Sequence, residues 1–143
     1  LNGDDVSVEI RTPEASMAAS DVSAVPEVRA FLFNLQRDIA KRNSCIMDGR
    51  DIGTVVLPQA QVKIFLTASP EIRAERRYKE LIEKGSEVDY QSVLDDIVKR
   101  DYNDSHREIA PLKPAEDSVL FDTTGLALDE SVAAITKIIK EKI

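Results

Sequence analysis

Two short apolar runs, each followed by a stretch with helical periodicity, constrain the fold of this chain more than any other feature. The clearer run is VKIFLTA at residues 62–68, and SVLFD at residues 118–122 is the second. Consecutive strands separated by helices pair in parallel, because a crossover of a dozen or more residues must carry the chain back across the sheet. The predicted fold class is therefore α/β, with a parallel sheet flanked by helices, and both strands are expected to be buried.

Helices are predicted from capping residues and from apolar stripes with helical spacing. They begin at Thr12-Pro13, extend from about Glu27 to Arg42, run from Ser69 to the stop at Lys84-Gly85, span about Tyr90 to Asp104, and follow Thr123-Thr124-Gly125. The second of these helices carries one apolar stripe that is expected to be buried, formed by Val28, Phe31, Leu32, Leu35 and Ile39. Two weaker candidates are a short strand end at residues 6–10 and a buried strand at residues 45–47.

Charge and composition exclude several classes of protein. The formal net charge is −7, so a nucleic-acid-binding face, which needs a basic surface, is not expected. No apolar run approaches the roughly 18–20 residues of a membrane span, and the first residues lack the basic and apolar regions of a signal peptide. The single cysteine, Cys45, excludes an internal disulfide and is predicted to be an inert core thiol in a cytoplasmic protein.

The segment DGRDIGT at residues 48–54 concentrates charge at the end of a predicted strand. In parallel sheets, ligands bind beyond the carboxyl ends of the strands. Two glycines are expected to let the backbone turn sharply there, while two carboxylates and a guanidinium group crowd the mouth of the sheet. Charge in such a place is costly unless a ligand or an ion uses it, which favours a functional loop over a purely structural turn.

Arginine side chains are concentrated on the helix that follows residues 62–68. Arg73, Arg76 and Arg77 have spacings that place them on one side of this helix, where they could clamp a phosphate group. The alternative is an ordinary solvated face, because Glu75–Lys79 and Glu80–Lys84 supply (i, i+4) ion pairs on the same helix.

A second charged row lies on the next helix. Arg100, Asp104 and Arg107 occupy positions i, i+4 and i+7, which share one face if the helix extends that far. The row could bind a sugar hydroxyl and a polar base edge, or it could be a salt-bridge ladder that contributes under about 1 kcal/mol. The spacing leaves both interpretations open. His106, the only histidine, has no partner at metal-ligand spacing and is expected on the surface.

Four strings carry a resemblance to a known family: IMDGRDIGTVVLPQAQVKIFLTAS at 46–69, RAERR at 73–77, REIAPL at 107–112 and DTTG at 122–125. In this order they resemble bacterial cytidylate kinases, and the resemblance covers essentially all 143 residues. It implies the fold of a P-loop NTPase-type nucleoside monophosphate kinase. Residues 1–25 would close the NMP-binding insert, and residues 26–143 would form a partial kinase core with its lid region at about 73–105.

The resemblance implies that the substrates are ATP and CMP or dCMP. The binding residues that it implies are Ser20, Arg29, Asp51 and Arg107 for the cytosine, Arg50 for the α-phosphate, and Arg100 and Asp104 for the pentose hydroxyls. This chemistry is suitable, because a carboxylate accepts from the exocyclic amine of cytosine and a guanidinium group donates to its N3/O2 edge. Uracil would present a carbonyl to Asp51 and be rejected.

The resemblance also implies catalytic groups for transfer of the ATP γ-phosphoryl group. Arg73 and Arg77 are candidates for contacts to the transferring phosphates, and Arg50 would act beside them. Asp48 would lie near Mg²⁺, which enters with ATP, and would reach it through water rather than as a direct ligand. Positioning and charge neutralisation carry such a transfer, so no covalent intermediate is needed.

The departure from the family pattern concerns the phosphate-binding loop. None of the five glycines belongs to a G-x-x-x-x-G-K-[ST] string, whose amides and lysine would hold the nucleotide phosphates. We therefore expect the first strand and the P-loop to be missing, which would open a gap in the sheet. The chain alone is then expected to be inactive and marginally folded unless the missing segment is supplied or the chain self-associates. The alternative is a CMP-binding module without catalytic activity.

Overall fold

The computed structural model describes residues 2–143, so Leu1, the first residue of the expected insert segment, lies outside the described residues. In chain order the elements are a 3₁₀ turn (Glu9–Arg11), α1 (Pro13–Ser23), α2 (Pro26–Arg42), a π-helical turn (Ile52–Val56), β1 (Ile64–Thr67), α3 (Pro70–Glu83), α4 (Tyr90–His106), β2 (Val119–Asp122) and α5 (Leu128–Lys142).

The two predicted strands pair in parallel, which confirms the α/β class. Ile64 of β1 lies opposite Val119 of β2, and the register continues without interruption to Thr67 opposite Asp122. The expectation that both strands are buried is wrong, because Leu66 is 57% exposed and Leu120 is 66% exposed. In the described part of the chain each strand has only one neighbour, so neither is enclosed on both edges as an interior strand of a parallel sheet would be.

The predicted start of α1 and both predicted ends of α3 are confirmed by their caps. The Thr12 hydroxyl accepts from the Ala15 amide at 3.2 Å before α1, and the Ser69 hydroxyl accepts from the Ile72 amide at 3.3 Å before α3. Gly85 ends α3 with a φ of 79°, a conformation that glycine adopts without steric cost. No helix in residues 2–143 is both long and apolar enough to cross a membrane.

The packed core lies between α3 and α4. Its buried members are Ala74, Leu81 and Val93, and the partly buried side chains around them are Tyr78, Val88, Leu94 and Ile97. The rings of Tyr78 and Tyr90 meet edge to face with centroids 6.1 Å apart. This helix pair is the rigid support for the charged residues that α3 and α4 carry on their other faces.

Two predicted strands are absent from the described residues. Residues 6–10 form a turn instead of a strand. The Ile10 amide donates to the Val6 carbonyl at 3.1 Å, so a local hydrogen bond replaces a bond to a neighbouring strand. Residues 45–47 have no regular secondary structure, and Ile46 is 93% exposed. The prediction of a core thiol fails with that strand, since Cys45 is exposed.

The apolar stripe of α2 is not buried as its periodicity predicted. Phe31 is 75% exposed, and Leu32, Leu35 and Ile39 are also exposed, while Val28 is half-buried. The physical reason is that, within residues 2–143, α1 and the π-helical turn are the main elements packed against α2. Those contacts cover one side of α2 and leave most of its stripe in solvent.

Candidate active site

The site is built around two buried carboxylates that belong to different elements. Asp51 immediately precedes the π-helical turn, whose Val55 and Val56 amides donate to the Asp51 carbonyl at 2.9 and 3.2 Å. Asp104 lies in the last turn of α4 and is only 3% exposed. Single π-type turns are rare and frequently occur at functional sites, and here the turn fixes the backbone that carries Asp51.

Asp51 lies between two arginines from distant parts of the chain. Arg29 of α2 donates from Nη2 to Asp51 Oδ2, and its Nη1 donates to the Ser23 carbonyl at 3.2 Å. On the other side, Arg107 Nη2 lies 3.6 Å from Asp51 Oδ1. These three side chains are each at least four-fifths buried, so both guanidinium groups are held where little water screens them.

Asp104 also lies between two arginines. Arg50 Nε donates to Asp104 Oδ2 at 2.7 Å, and Arg100 Nε lies 3.8 Å from the same oxygen. The Ser20 hydroxyl of α1 donates to Asp104 Oδ1 at 3.3 Å. The carboxylate thus joins α1, the segment before the π-helical turn and α4 at one point.

The Asp51 cluster (Asp51, Arg29 and Arg107) and the Asp104 cluster (Asp104, Arg50 and Arg100) together have a positive charge, although the chain as a whole is acidic. Four guanidinium groups face two carboxylates, which gives a local net charge of +2. Burial, and then the like charge of Arg50, lower the pKa of the Arg100 guanidinium below its ordinary value. Two buried nitrogens, Arg100 Nε and Arg107 Nη2, have no hydrogen-bond acceptor in the described structure. An anionic or polar ligand would supply both the missing charge and the missing acceptors.

A cavity of about 460 Å³ opens beside the two carboxylate clusters. It is lined by Ser20, Asp21, Ala24, Tyr102, Asn103, Asp104, His106 and Arg107. Its size suits a small organic ligand, and Asp104 and Arg107 bring one member of each cluster to its wall. His106 is exposed as predicted and stacks on Tyr102 with ring centroids 4.0 Å apart.

The predicted helical row of Arg100, Asp104 and Arg107 does not form. Helix α4 ends at His106, and Arg107 has an extended backbone with ψ of 144°, so its side chain leaves the helical face and reaches Asp51. Its Nε donates to the Ala110 carbonyl at 2.6 Å. Ala110 has a φ of 52°, a left-handed conformation that is uncommon for a residue with a side chain, so this loop holds Arg107 at some conformational cost.

The glycines of the DGRDIGT segment have a different role from the predicted one. Neither Gly49 nor Gly53 has a positive φ, so no left-handed turn requires them. A Cβ atom at Gly49 would lie 2.9 Å from Ile52 Cγ1, whereas one at Gly53 would lie 3.4 Å from the flexible Lys63 side chain. Gly49 is therefore needed for close packing beside Arg50.

The three arginines of α3 do not converge. Arg73 forms a two-bond pair with Asp101 of α4 at 3.0 and 2.5 Å, and Arg76 donates to the Thr123 carbonyl at 2.8 Å. Arg77 donates to Glu80 at 2.8 Å and to the Arg11 carbonyl at 2.9 Å. In this conformation each guanidinium group ties α3 to another part of the chain rather than sharing one ligand.

Asp48 is exposed and makes no hydrogen bond or ion pair in the described residues. Within residues 2–143 no three histidine, cysteine or acidic side chains are close enough to hold a metal ion. Mg²⁺ commonly uses only one or two carboxylates together with substrate phosphates and water.

One residue at the site escaped the sequence analysis. Ser16 of α1 accepts a 2.6 Å hydrogen bond from Arg100 Nη1, across 84 positions of sequence. Its only trace in the sequence is its spacing from Ser20, four residues or one helical turn, which puts both hydroxyls on one face of α1.

Fold and site together define a class: parallel α/β proteins with buried arginine–carboxylate clusters beside a cavity. Comparison with known proteins narrows this class. The profile of the cytidylate kinase family matches residues 1–141, and the chain belongs to that family. Membership implies a P-loop NTPase-like fold, with which the two parallel strands and their flanking helices agree.

Named relatives agree with the family match. The chain is 55% identical over 142 residues to the cytidylate kinase of Thermosipho melanesiensis, covering 99% of this chain and 65% of that protein. It is 51% identical over 143 residues to the cytidylate kinase of Clostridium tetani, covering 100% and 63%, and 54% identical over 142 residues to that of Carboxydothermus hydrogenoformans, covering 99% and 64%. The chain thus spans a little under two thirds of the length of these relatives.

Proposed function

We propose that this chain binds a cytidine monophosphate at the Asp51 and Asp104 clusters and belongs to an enzyme that phosphorylates it. The observation that carries the proposal is the net positive charge around two buried carboxylates. Neutral ligands would leave the excess of guanidinium charge uncompensated, whereas a nucleoside monophosphate brings both an anion and a set of hydrogen-bonding edges.

The Asp51 cluster is the proposed base-reading part. Asp51 would accept from the exocyclic amine of cytosine, while Arg29 and Arg107 would donate to the N3/O2 edge. Ser20, which the resemblance also assigns to the cytosine, donates to Asp104 Oδ1 in this structure. Uracil offers a carbonyl where cytosine has its amine, so it would leave the buried Asp51 carboxylate facing an acceptor. A site built to pair with a polar group rejects the analogue that lacks it strongly.

The Asp104 cluster is the proposed pentose and phosphate part. Asp104 and Arg100 would bind the pentose hydroxyls, and Arg50, whose side chain is 41% exposed, would turn toward the α-phosphate. The pairs seen among these groups, such as Arg50 with Asp104, satisfy their charges without a ligand. Binding would exchange these internal partners for ligand atoms.

Transfer of a phosphoryl group from ATP is the proposed reaction of the whole enzyme. The residues assigned to that step are Arg50, Arg73, Arg77 and, near the Mg²⁺ that ATP brings, Asp48. Residues 73–105 would act as a lid, residues 1–25 as the end of the NMP-binding insert and residues 26–143 as a partial core. Because this sequence contains no G-x-x-x-x-G-K-[ST] string, we expect phosphoryl transfer only when a P-loop segment is supplied.

Calorimetric titration of the chain with CMP and UMP tests the binding proposal. We expect CMP to bind at least about fivefold more tightly than UMP, since an unpaired buried polar group costs about 1–3 kcal/mol. Asp51→Asn should weaken CMP binding and remove most of the preference. Asp96→Asn, an exposed carboxylate of α4, is the matched control and should change neither. Equal affinity for the two nucleotides would contradict the assignment of Asp51.

A second candidate function is a binding module that takes up CMP without phosphorylating it. It is favoured by one observation, the presence of the complete Asp51 and Asp104 clusters in a sequence without a P-loop string. A coupled ATP/CMP assay with and without an added P-loop segment separates the candidates. Activity that appears only with the added segment supports the kinase, and selective CMP binding without activity in either sample supports the module.

A further inference from the structure

Helices α1 and α4 meet through two polar contacts that are in register. Ser16 and Ser20 are one turn apart on α1, and Arg100 and Asp104 are one turn apart on α4. Ser16 accepts from Arg100 Nη1 at 2.6 Å, and Ser20 donates to Asp104 Oδ1 at 3.3 Å. Each serine therefore faces one charged residue of the proposed pentose site.

The hydrogen bond to Ser16 restrains the Arg100 side chain more than its longer contact with Asp104 does. It is the one hydrogen bond that the Arg100 side chain makes in residues 2–143, since Nε lies 3.8 Å from Asp104 and has no hydrogen-bond partner. Arg100 is also repelled by Arg50, which shares the same carboxylate oxygen. Because the Arg100 side chain is two-thirds buried and makes one short hydrogen bond, the bond to Ser16 fixes the orientation of its guanidinium group.

Ser16 is placed to act through Arg100 rather than on a ligand. The cavity of about 460 Å³ is lined by Ser20 and Asp104 but by neither Ser16 nor Arg100. Ser16 and Arg100 instead share a second cavity of about 440 Å³, lined also by Ile10, Arg11, Thr12, Ala15, Ala19, Arg77 and Glu80. The Ser16 hydroxyl holds Nη1 in the second cavity, while Nε of the same group lies 3.8 Å from Oδ2 of Asp104, which lines the first cavity.

We propose that Ser16 is a positioning residue that fixes the Arg100 fork for contact with the pentose hydroxyls of the nucleotide. The proposal rests on the function proposed above, because it needs Arg100 and Asp104 to contact the pentose. Holding a long charged side chain in its bound geometry before the ligand arrives spares the ordering cost at binding. Loss of the Ser16 hydroxyl should therefore weaken only the part of the binding free energy that comes from the pentose hydroxyls.

The test compares two ligands that differ only at the pentose hydroxyls, CMP and 2′,3′-dideoxy-CMP, by calorimetric titration of the same chain. We expect Ser16→Ala to weaken CMP binding about fivefold, the size expected for one unrestrained side chain, and to leave dideoxy-CMP binding unchanged. Ser16→Thr keeps the hydroxyl and should restore CMP affinity. Ser118→Ala, which removes a part-buried hydroxyl that bonds only to the Ala115 carbonyl and lies in neither cluster, is the matched control and should behave like the unsubstituted chain.

A purely structural role for Ser16 predicts a different pattern. Ser16→Ala would then weaken both ligands by the same factor, and this result, or no change for either ligand, would overturn the positioning role while the binding function stands. If the unsubstituted chain binds no CMP at all, the proposed function itself fails and the role of Ser16 fails with it.

Discussion

Asp51 and Asp104 are two nearly buried carboxylates in a small and open structure, where burial of a charge needs an explanation. An isolated buried charge would be expensive, and each acid is stabilised because two arginines converge on it. The arginines in turn depend on the acids, because removal of either carboxylate leaves two guanidinium groups facing each other. The site is thus held together by the charges that a ligand would use.

The first prediction concerns Asp104. Asp104→Asn removes the charge that Arg50 and Arg100 share, so the free energy of unfolding should fall by about 2 kcal/mol, reduced from the value for fully buried pairs because both arginines are partly exposed. Urea denaturation measures this loss. Asp96→Asn, on the exposed face of the same helix, should stay within about 0.5 kcal/mol of the unsubstituted chain. Equal stability of the two variants would contradict the account.

At the residue scale, the sequence predicts which chemistry is present better than which atoms meet. The charged segment containing Arg50 and Asp51 could be identified because local charge density and strand ends are visible in the sequence. The pairing of Arg50 with Asp104 joins residues 54 positions apart, and no local pattern encodes that distance. Ser16 was missed for the same reason, since an alcohol on a helix face has no distinctive spacing of its own.

At the scale of the elements, the segment around Gly49 and the π-helical turn orient the side chains of Arg50 and Asp51. Gly49→Ala places a Cβ atom 2.9 Å from Ile52 Cγ1, in a turn that also positions Arg50 and Asp51. We expect a loss of about 1–3 kcal/mol in the free energy of unfolding together with weaker CMP binding. The matched variant Gly53→Ala meets only the flexible Lys63 side chain at 3.4 Å and should be nearly neutral. Denaturation of both variants in urea distinguishes them, and an equal cost would show that close packing at Gly49 is unimportant.

Helix α3 supplies a prediction on pH. Hydrogen bonds from Lys84 and Arg77 lower the pKa of Glu80 from 4.5 to about 2. The unfolded chain takes up the proton near pH 4.5 and the folded chain only near pH 2, so the contribution of these pairs is complete above about pH 4.5 and is lost as the pH falls toward 2. The Glu80 side chain is 44% exposed, which keeps the contribution below about 1 kcal/mol.

Glu80→Gln should therefore reduce the acid dependence of stability between pH 4.5 and 2 and change little at pH 7 beyond the same small loss. Thermal unfolding at a series of pH values measures this. Glu87→Gln, an exposed carboxylate without an ion pair in the described residues, should leave the acid dependence as it is. An unaltered pH profile for Glu80→Gln would contradict the assigned cause.

The elements themselves were predictable where local rules decide them. Thr12, Ser69 and Gly85 mark helix ends through capping bonds and glycine conformation, and all three boundaries are confirmed. The failures at residues 6–10 and 45–47 are apolar runs whose strand state needs a neighbouring strand, which the described residues do not provide. Strand formation depends on tertiary partners more than helix formation does.

For the whole molecule, the main finding is the amount of apolar side chain left in solvent. The exposed large side chains include Phe31, Leu35, Ile46, Leu66, Leu120 and Leu128, drawn from α2, both strands, α5 and the segment before Asp48. The periodicity of α2 predicted an apolar stripe correctly, but no pattern in one helix states whether a partner covers it.

A matched pair of substitutions tests this uneven burial. Phe31→Ser should leave the free energy of unfolding within about 0.5 kcal/mol, because this side chain is 75% exposed. Leu81→Ala, in the α3–α4 core at 5% exposure, should cost about 3 kcal/mol. Urea denaturation of both variants is the measurement. A large loss for Phe31→Ser would show that the α2 stripe is covered in solution.

The most direct test of the proposed nucleotide site is a crystal structure of the chain grown with CMP. We predict that the cytosine amine lies within hydrogen-bond distance of the Asp51 carboxylate and the pentose hydroxyls within reach of Asp104. A nucleotide bound elsewhere, with both carboxylates still paired only to their arginines, would contradict the account.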